Sequence, residues 1–148
     1  MSLGFISDIH LDSNSPKKTQ MFFDFLDQAK NKYSKLFILG DLFEYWIGDD
    51  DQSQDSLEVI KQLKILSDSI EVFFIAGNRD FLIAKEFENK SGIKILEDMY
   101  IFSSGNKNIM VSHGDSFCID DKQYQSLKNE IRSSAVSYTH LRAHETSL

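Results

Sequence analysis

An α/β sheet carrying ligand-bearing loops at the carboxyl ends of its strands is the fold class this sequence predicts, and three observations predict it. Four apolar runs, over residues 3–7, 35–39, 71–76 and 108–112, have strand length and aromatic or β-branched content. Each stops at a small polar cluster: Asp8, Gly40-Asp41, Gly77-Asn78 and His113-Gly114. Between the first three runs lie two segments of helical apolar spacing, so the order reads strand, helix, strand, helix, strand. Open sheets of that order place their sites beyond the carboxyl ends of the strands.

The first helix is expected over 16–33, where Met21, Phe22, Phe25, Leu26, Ala29 and Tyr33 form one stripe and Pro16 suits a helix start. The second is expected over 56–69, with Leu57, Ile60, Leu63 and Leu66 facing the core. A shorter helix over 81–89 stops at Gly92. Brief strands follow over 93–96 and 100–102, and Gly105-Asn106 turns the chain into the run at 108–112. Tyr124, Leu127, Lys128 and Ile131 mark a last helix over 121–132.

Composition narrows the function classes. With 148 residues, 41% of them apolar and 12% aromatic, the chain has material for a single packed core and is too apolar for disorder. Its one cysteine, Cys118, makes no internal disulfide and reads as a small buried side chain. No apolar run approaches the ~20 residues that span a bilayer, and residues 1–5 lack a basic start, so a cytosolic protein is expected. A net charge of −7 argues against a nucleic-acid partner held by its phosphates.

The distribution of that charge is more telling. Asp8 follows the first run, Asp41, Glu44, Asp49 and Asp50 the second, Asp80 the third, and Asp115, Asp120 and Asp121 the fourth. Gathering carboxylates on one edge costs several kcal/mol per desolvated ion, and a divalent cation offsets that cost. His10, Asn78 and His113 sit in the same clusters, and a mixed oxygen and nitrogen donor set suits Mn, Fe, Zn or Co better than a calcium cage. Other residues read more plainly. Tyr45 and Trp46 are expected to pack beneath the loop after Asp41, Asp49, Asp50 and Asp51 to form a solvated charge run, and Asp115 to orient His113.

The segments Ser7-Asp8-Ile9-His10-Leu11, Gly40-Asp41-Leu42-Phe43-Glu44-Tyr45-Trp46-Ile47-Gly48-Asp49-Asp50, Gly77-Asn78-Arg79-Asp80-Phe81-Leu82 and His113-Gly114-Asp115 together resemble the calcineurin-like metallophosphoesterase superfamily. Within it the chain is most similar to the UDP-2,3-diacylglucosamine pyrophosphatases of lipid A synthesis. The Phe-Glu-Tyr-Trp run, Arg79 after Asn78, and Ser116 to Asp121 followed by Tyr124-Gln125 select that branch. The resemblance implies an α/β sandwich of two sheets flanked by helices, holding two divalent ions for which manganese is expected. Asp8 and His10 would hold one ion, Asp41 would bridge both, and Asn78 and His113 would hold the second. The pair would activate water to split the substrate's pyrophosphate into UMP and the acylated sugar phosphate. Arg79 would act in catalysis by clamping phosphate oxygens; Asn78, Arg79 and Asp121 would contact substrate. The cytoplasmic face of the inner membrane is the implied location and its lipid surface a partner, and nucleic acid is not expected.

The family continues past the last match to a Gly-His-Thr-His segment, and by its pattern these two histidines supply one ligand to each ion. The residues over 134–146 instead resemble a translated cloning adaptor. Residues 1–132 are therefore expected to be the amino-terminal part of a metallophosphoesterase domain, incomplete at its carboxyl end, and 133–148 a non-native tail. On that expectation His140 and His144, although spaced i, i+4, are not a metal pair.

Overall fold

The computed structural model describes residues 2–50 and 53–114. The chain divides into two compact units, residues 1–95 and 96–148. The first begins with β1 (Leu3–Ile6), α1 (Pro16–Lys32), β2 (Lys35–Ile38), α2 (Gln54–Ser67) and β3 (Glu71–Ile75), then α3 (Lys85–Ser91) and β4 (Lys94–Leu96). The sheet order is β1-β2-β3-β4, with β1 to β2 and β2 to β3 parallel and in register from Leu3 opposite Lys35 and from Lys35 opposite Glu71. A parallel neighbour requires a crossover, and the two long helices supply it.

The helices form one layer against one face of the sheet. Phe22, Leu26 and Ala29 of α1 and Val59, Ile60, Leu63 and Leu66 of α2 bury against Leu36, Ile38, Val72 and Phe74 of the strands. Full burial of such a side chain contributes roughly 1.5–3 kcal/mol. The alternate residues of the strands form a second row, in which Phe5 stacks on Phe37 at 5.3 Å and Phe37 on Phe73 at 4.8 Å. Period-two alternation thus makes each strand serve both faces.

Helix starts differ in kind. Pro16 opens α1 without a side-chain cap at Ser15, whereas Ser53 caps α2 by accepting the Ser56 N–H at 3.3 Å. Two stripe residues depart from expectation, since Met21 is 64% exposed and Leu57 37% exposed, and Val59 takes the inward place in α2. The third helix starts at Lys85 rather than 81. Residues 81–84 form a turn instead, in which the Ile83 N–H donates to the Asp80 carbonyl at 3.1 Å. Gly92 ends α3 in the left-handed conformation, as expected.

In the second unit β5 (Tyr100–Ser104) pairs antiparallel with β6 (Lys107–Val111) through the turn at Gly105. The helix expected over 121–132, together with Asp115, Cys118 and Asp121, lies outside the described residues. Among the described residues no helix is long and apolar enough to cross a membrane.

Candidate metal centre

The loops that leave β1 and β2 run side by side beyond the sheet and extend its pairing. Asp8 N–H donates to the Gly40 carbonyl at 3.0 Å, His10 N–H to Asp41 at 2.9 Å, and Leu11 N–H to Leu42 at 2.8 Å. Glu44 N–H returns to Leu11 at 2.9 Å. Asp8, His10 and Asp41 all hold left-handed backbone, with φ of 56°, 53° and 53°. Such positions cost of order 1–3 kcal/mol each for residues other than glycine and gather where function over-determines them. Here the backbone bonds between the two loops hold them.

These turns bring three donor groups together. His10 Nε2 lies 3.7 Å from Asp8 Oδ1 and 3.7 Å from Asp41 Oδ2, and an Asp8 oxygen lies within 4.8 Å of one from Asp41. His10 Nδ1 is 3.0 Å from Glu44 Oε2, so the proton is assigned to Nδ1 and the lone pair to Nε2. That lone pair then faces two anionic oxygens at distances too long for hydrogen bonds. In that tautomer a cation among the three atoms would make the arrangement attractive. Their spacing is close to the roughly 3–3.5 Å separating ligands of one ion bound at 2.0–2.2 Å. Asp8, His10 and Asp41 therefore fit a divalent metal.

Asp41 is shaped for two duties. Its Oδ1 accepts the Arg79 N–H at 2.9 Å while its Oδ2 faces His10, and the residue is buried. Gly77 lets β3 come this close, because a Cβ there would collide with the Asp41 carboxylate and backbone nitrogen. Asn78 and Arg79 follow at the exposed end of β3. The Arg79 guanidinium sits 5.7 Å from the centre of the Tyr45 ring, and its Nη1 is 3.5 Å from Glu44 Oε1. His113 follows β6 in the second unit, where its N–H donates to Asp98 Oδ1 at 3.2 Å and Ser112 Oγ donates to the same oxygen at 2.7 Å.

Four acidic or aromatic residues behave differently from their sequence reading. Asp80 is fully buried rather than on the acidic edge. Its Oδ1 accepts the N–H groups of Gly77 and Asp41, and its Oδ2 those of Leu42 and Phe43, at 2.6–3.2 Å. Burial raises its pKa above the ordinary carboxylate value, the backbone donors oppose that shift, and the Asp41 charge adds to it. Asp49 is not a solvated charge: it accepts the Trp46 indole N–H and the Ala84 and Phe87 amides, all at 3.0 Å at closest. Tyr45 is 71% exposed rather than packed, whereas Trp46 is buried against Phe43 and Phe87 as expected. Glu44 appears in the sequence only as one carboxylate among several. A local signal existed for Asp80, three residues after a glycine at a strand end, but none marked Glu44 as the partner of His10.

Residues 1–145 match the family model for calcineurin-like phosphoesterases. The chain belongs to the calcineurin-like phosphoesterase family. The chain is 41% identical over 128 residues to the UDP-2,3-diacylglucosamine hydrolase of Haemophilus influenzae, covering 86% of this chain and 54% of that protein. It is 42% identical over 136 residues to the hydrolase of that name from Stenotrophomonas maltophilia, covering 91% and 55%. The chain thus spans about half the length of the curated relatives it matches. Among solved structures it resembles the Pseudomonas putida nuclease MPE, with a TM-score of 0.52 at 18% identity over 67% of this chain and 49% of that one, a likeness of fold. Divalent-metal binding follows from the phosphoesterase family and from the Asp8, His10 and Asp41 donor set.

Proposed function

We propose that the protein containing these residues hydrolyses the pyrophosphate of UDP-2,3-diacylglucosamine, releasing UMP and the acylated glucosamine phosphate of lipid A synthesis. The observation that carries this reading is the convergence of His10 Nε2 on Asp8 and Asp41, with Arg79 fastened beside them through the Asp41 carboxylate. Relatives at 41% and 42% identity bear the name of that hydrolase.

Asp8, His10 and Asp41 would hold one divalent ion, and Asn78 and His113 would serve with Asp41 as ligands of a second. Manganese suits this mixed oxygen and imidazole set. When bound, the ions supply Lewis acidity and a water activated near neutral pH. Arg79 presents a planar fork to the phosphate oxygens as charge builds on them. Its backbone is held by Asp41 and its side chain by Glu44, so the fork is oriented before substrate arrives. Asn78 lies next to it, and Asp121 takes hydrogen bonds from the glucosamine end. The acylated substrate is itself a membrane lipid, so the enzyme works at the cytoplasmic face of the inner membrane as a peripheral protein.

The test is hydrolysis of UDP-2,3-diacylglucosamine by protein expressed from the complete reading frame, with and without Mn. Release of UMP that requires Mn and disappears in His10→Ala is the expected outcome. Cleavage of generic phosphodiesters with no preference for the lipid-linked nucleotide would overturn the substrate.

A further inference from the structure

We infer that Glu44 is a positioning residue that ties the metal centre to the phosphate clamp, an assignment that rests on the reading of His10 as metal ligand and Arg79 as clamp. The two oxygens of this one half-buried carboxylate are divided between the two groups: Oε2 lies 3.0 Å from His10 Nδ1 and Oε1 lies 3.5 Å from Arg79 Nη1. Its backbone is fixed by the N–H bond to Leu11 next to the parallel bridge between Leu11 and Phe43, so the carboxylate stands where the two loops join.

Each contact has its own consequence. Accepting from Nδ1–H holds the imidazole in the tautomer whose Nε2 lone pair faces Asp8 and Asp41, the form a metal requires. A neutral imidazole without such a partner distributes its proton over both nitrogens. The second contact opposes the outward swing of a guanidinium that is 45% exposed at its side chain and, among the described residues, also rests near the Tyr45 ring. Glu44 stands at the Nδ1 side of the imidazole, away from the Nε2 atom that meets Asp8 and Asp41. A change in the clamp is therefore felt by the ligand through one shared side chain.

The contacts separate by substitution. In Glu44→Gln the amide oxygen still accepts from Nδ1–H, but the charge facing Arg79 is gone. In Glu44→Ala both contacts are lost. Protein from the complete reading frame, labelled with 15N-histidine and stripped of metal, should show His10 as the Nδ1–H form at pH 8 in the wild type and in Glu44→Gln. Glu44→Ala should show a mixture weighted toward Nε2–H. Calorimetric Mn affinity should fall tenfold to a hundredfold in Glu44→Ala and by less than about tenfold in Glu44→Gln. On UDP-2,3-diacylglucosamine, Glu44→Gln should lower kcat about tenfold in the wild-type background and less than about twofold in Arg79→Ala, because the contact it removes is already absent there. An unchanged tautomer and Mn affinity in Glu44→Ala would overturn the assignment, as would effects of Glu44→Gln and Arg79→Ala on kcat that simply multiply. The tautomer and the Mn affinity are read without substrate, so a wild-type protein inactive on this lipid would refute the substrate and leave those two readouts to decide Glu44.

Discussion

At the scale of single residues, the site depends on one missing Cβ and one buried carboxylate. Gly77→Ala pushes a methyl into Asp41, whose carboxylate meets both His10 and the Arg79 amide. Overpacking of this kind costs about 1–3 kcal/mol, and here the strain falls on a carboxylate proposed as a metal ligand. The expected result is a lower urea midpoint together with a loss of Mn affinity of at least tenfold by calorimetry. Asp80→Asn keeps the shape but turns an amide NH2 toward two of the four backbone donors it now accepts, which should cost about 3 kcal/mol in urea unfolding. Arg79→Lys keeps the charge and loses the planar fork. Its kcat should fall by about 10²–10³ in steady-state assays, as for removal of an oriented donor, while Mn affinity by calorimetry falls by less than about tenfold, because the lysine still presents a cation to Glu44.

Elements explain why some of this was legible in the sequence and some was not. β1, α1, β2, α2 and β3 are marked by periodicity, and each strand's end is marked by its polar cluster, so the places of Asp8, His10, Asp41 and Asn78 beyond the strands were legible, whereas Arg79 was singled out only through the family resemblance. Asp49 could not, because what it caps is 35 residues away: α3 has seven residues, and its own N-cap position is Ala84, which has no acceptor. So short a helix does not form unaided. Asp49 supplies the missing acceptor and at the same time fixes the Trp46 indole, which packs on Phe87 of α3 at 5.2 Å. Glu44 escaped for the same reason, since its partners come from other loops, and Asp80 kept one local partner in Gly77 while its other three, Asp41, Leu42 and Phe43, lie in the loop after β2. Asp49→Ala should cost about 2–3 kcal/mol, combining a lost cap with an unpaired buried indole N–H. Trp46 is the chain's one tryptophan, so its fluorescence should report the change before global unfolding in a urea titration.

For the molecule as a whole, the relevant quantity is the coupling between folding and the metal. The net charge is −7, and within the first unit Asp8, Asp41 and Glu44 crowd one imidazole, with a single guanidinium beside them. The three left-handed residues that build this crowding carry strain that metal-free protein has to bear. A divalent ion that binds the folded loops and not the unfolded chain stabilises by RT ln(1 + [L]/Kd), about 2.7 kcal/mol at a hundredfold excess over Kd. At this chain length that corresponds to roughly 5–10 °C in Tm. Imidazole favours manganese over magnesium and calcium, which prefer oxygen, so the rise should follow Mn > Mg and Mn > Ca at equal concentration. Scanning calorimetry of protein from the complete reading frame checks this. Chelation should reverse the rise, and His10→Ala should abolish most of it while leaving the metal-free Tm within a few degrees of wild type, because His10 packs little and its main partners are the carboxylates themselves.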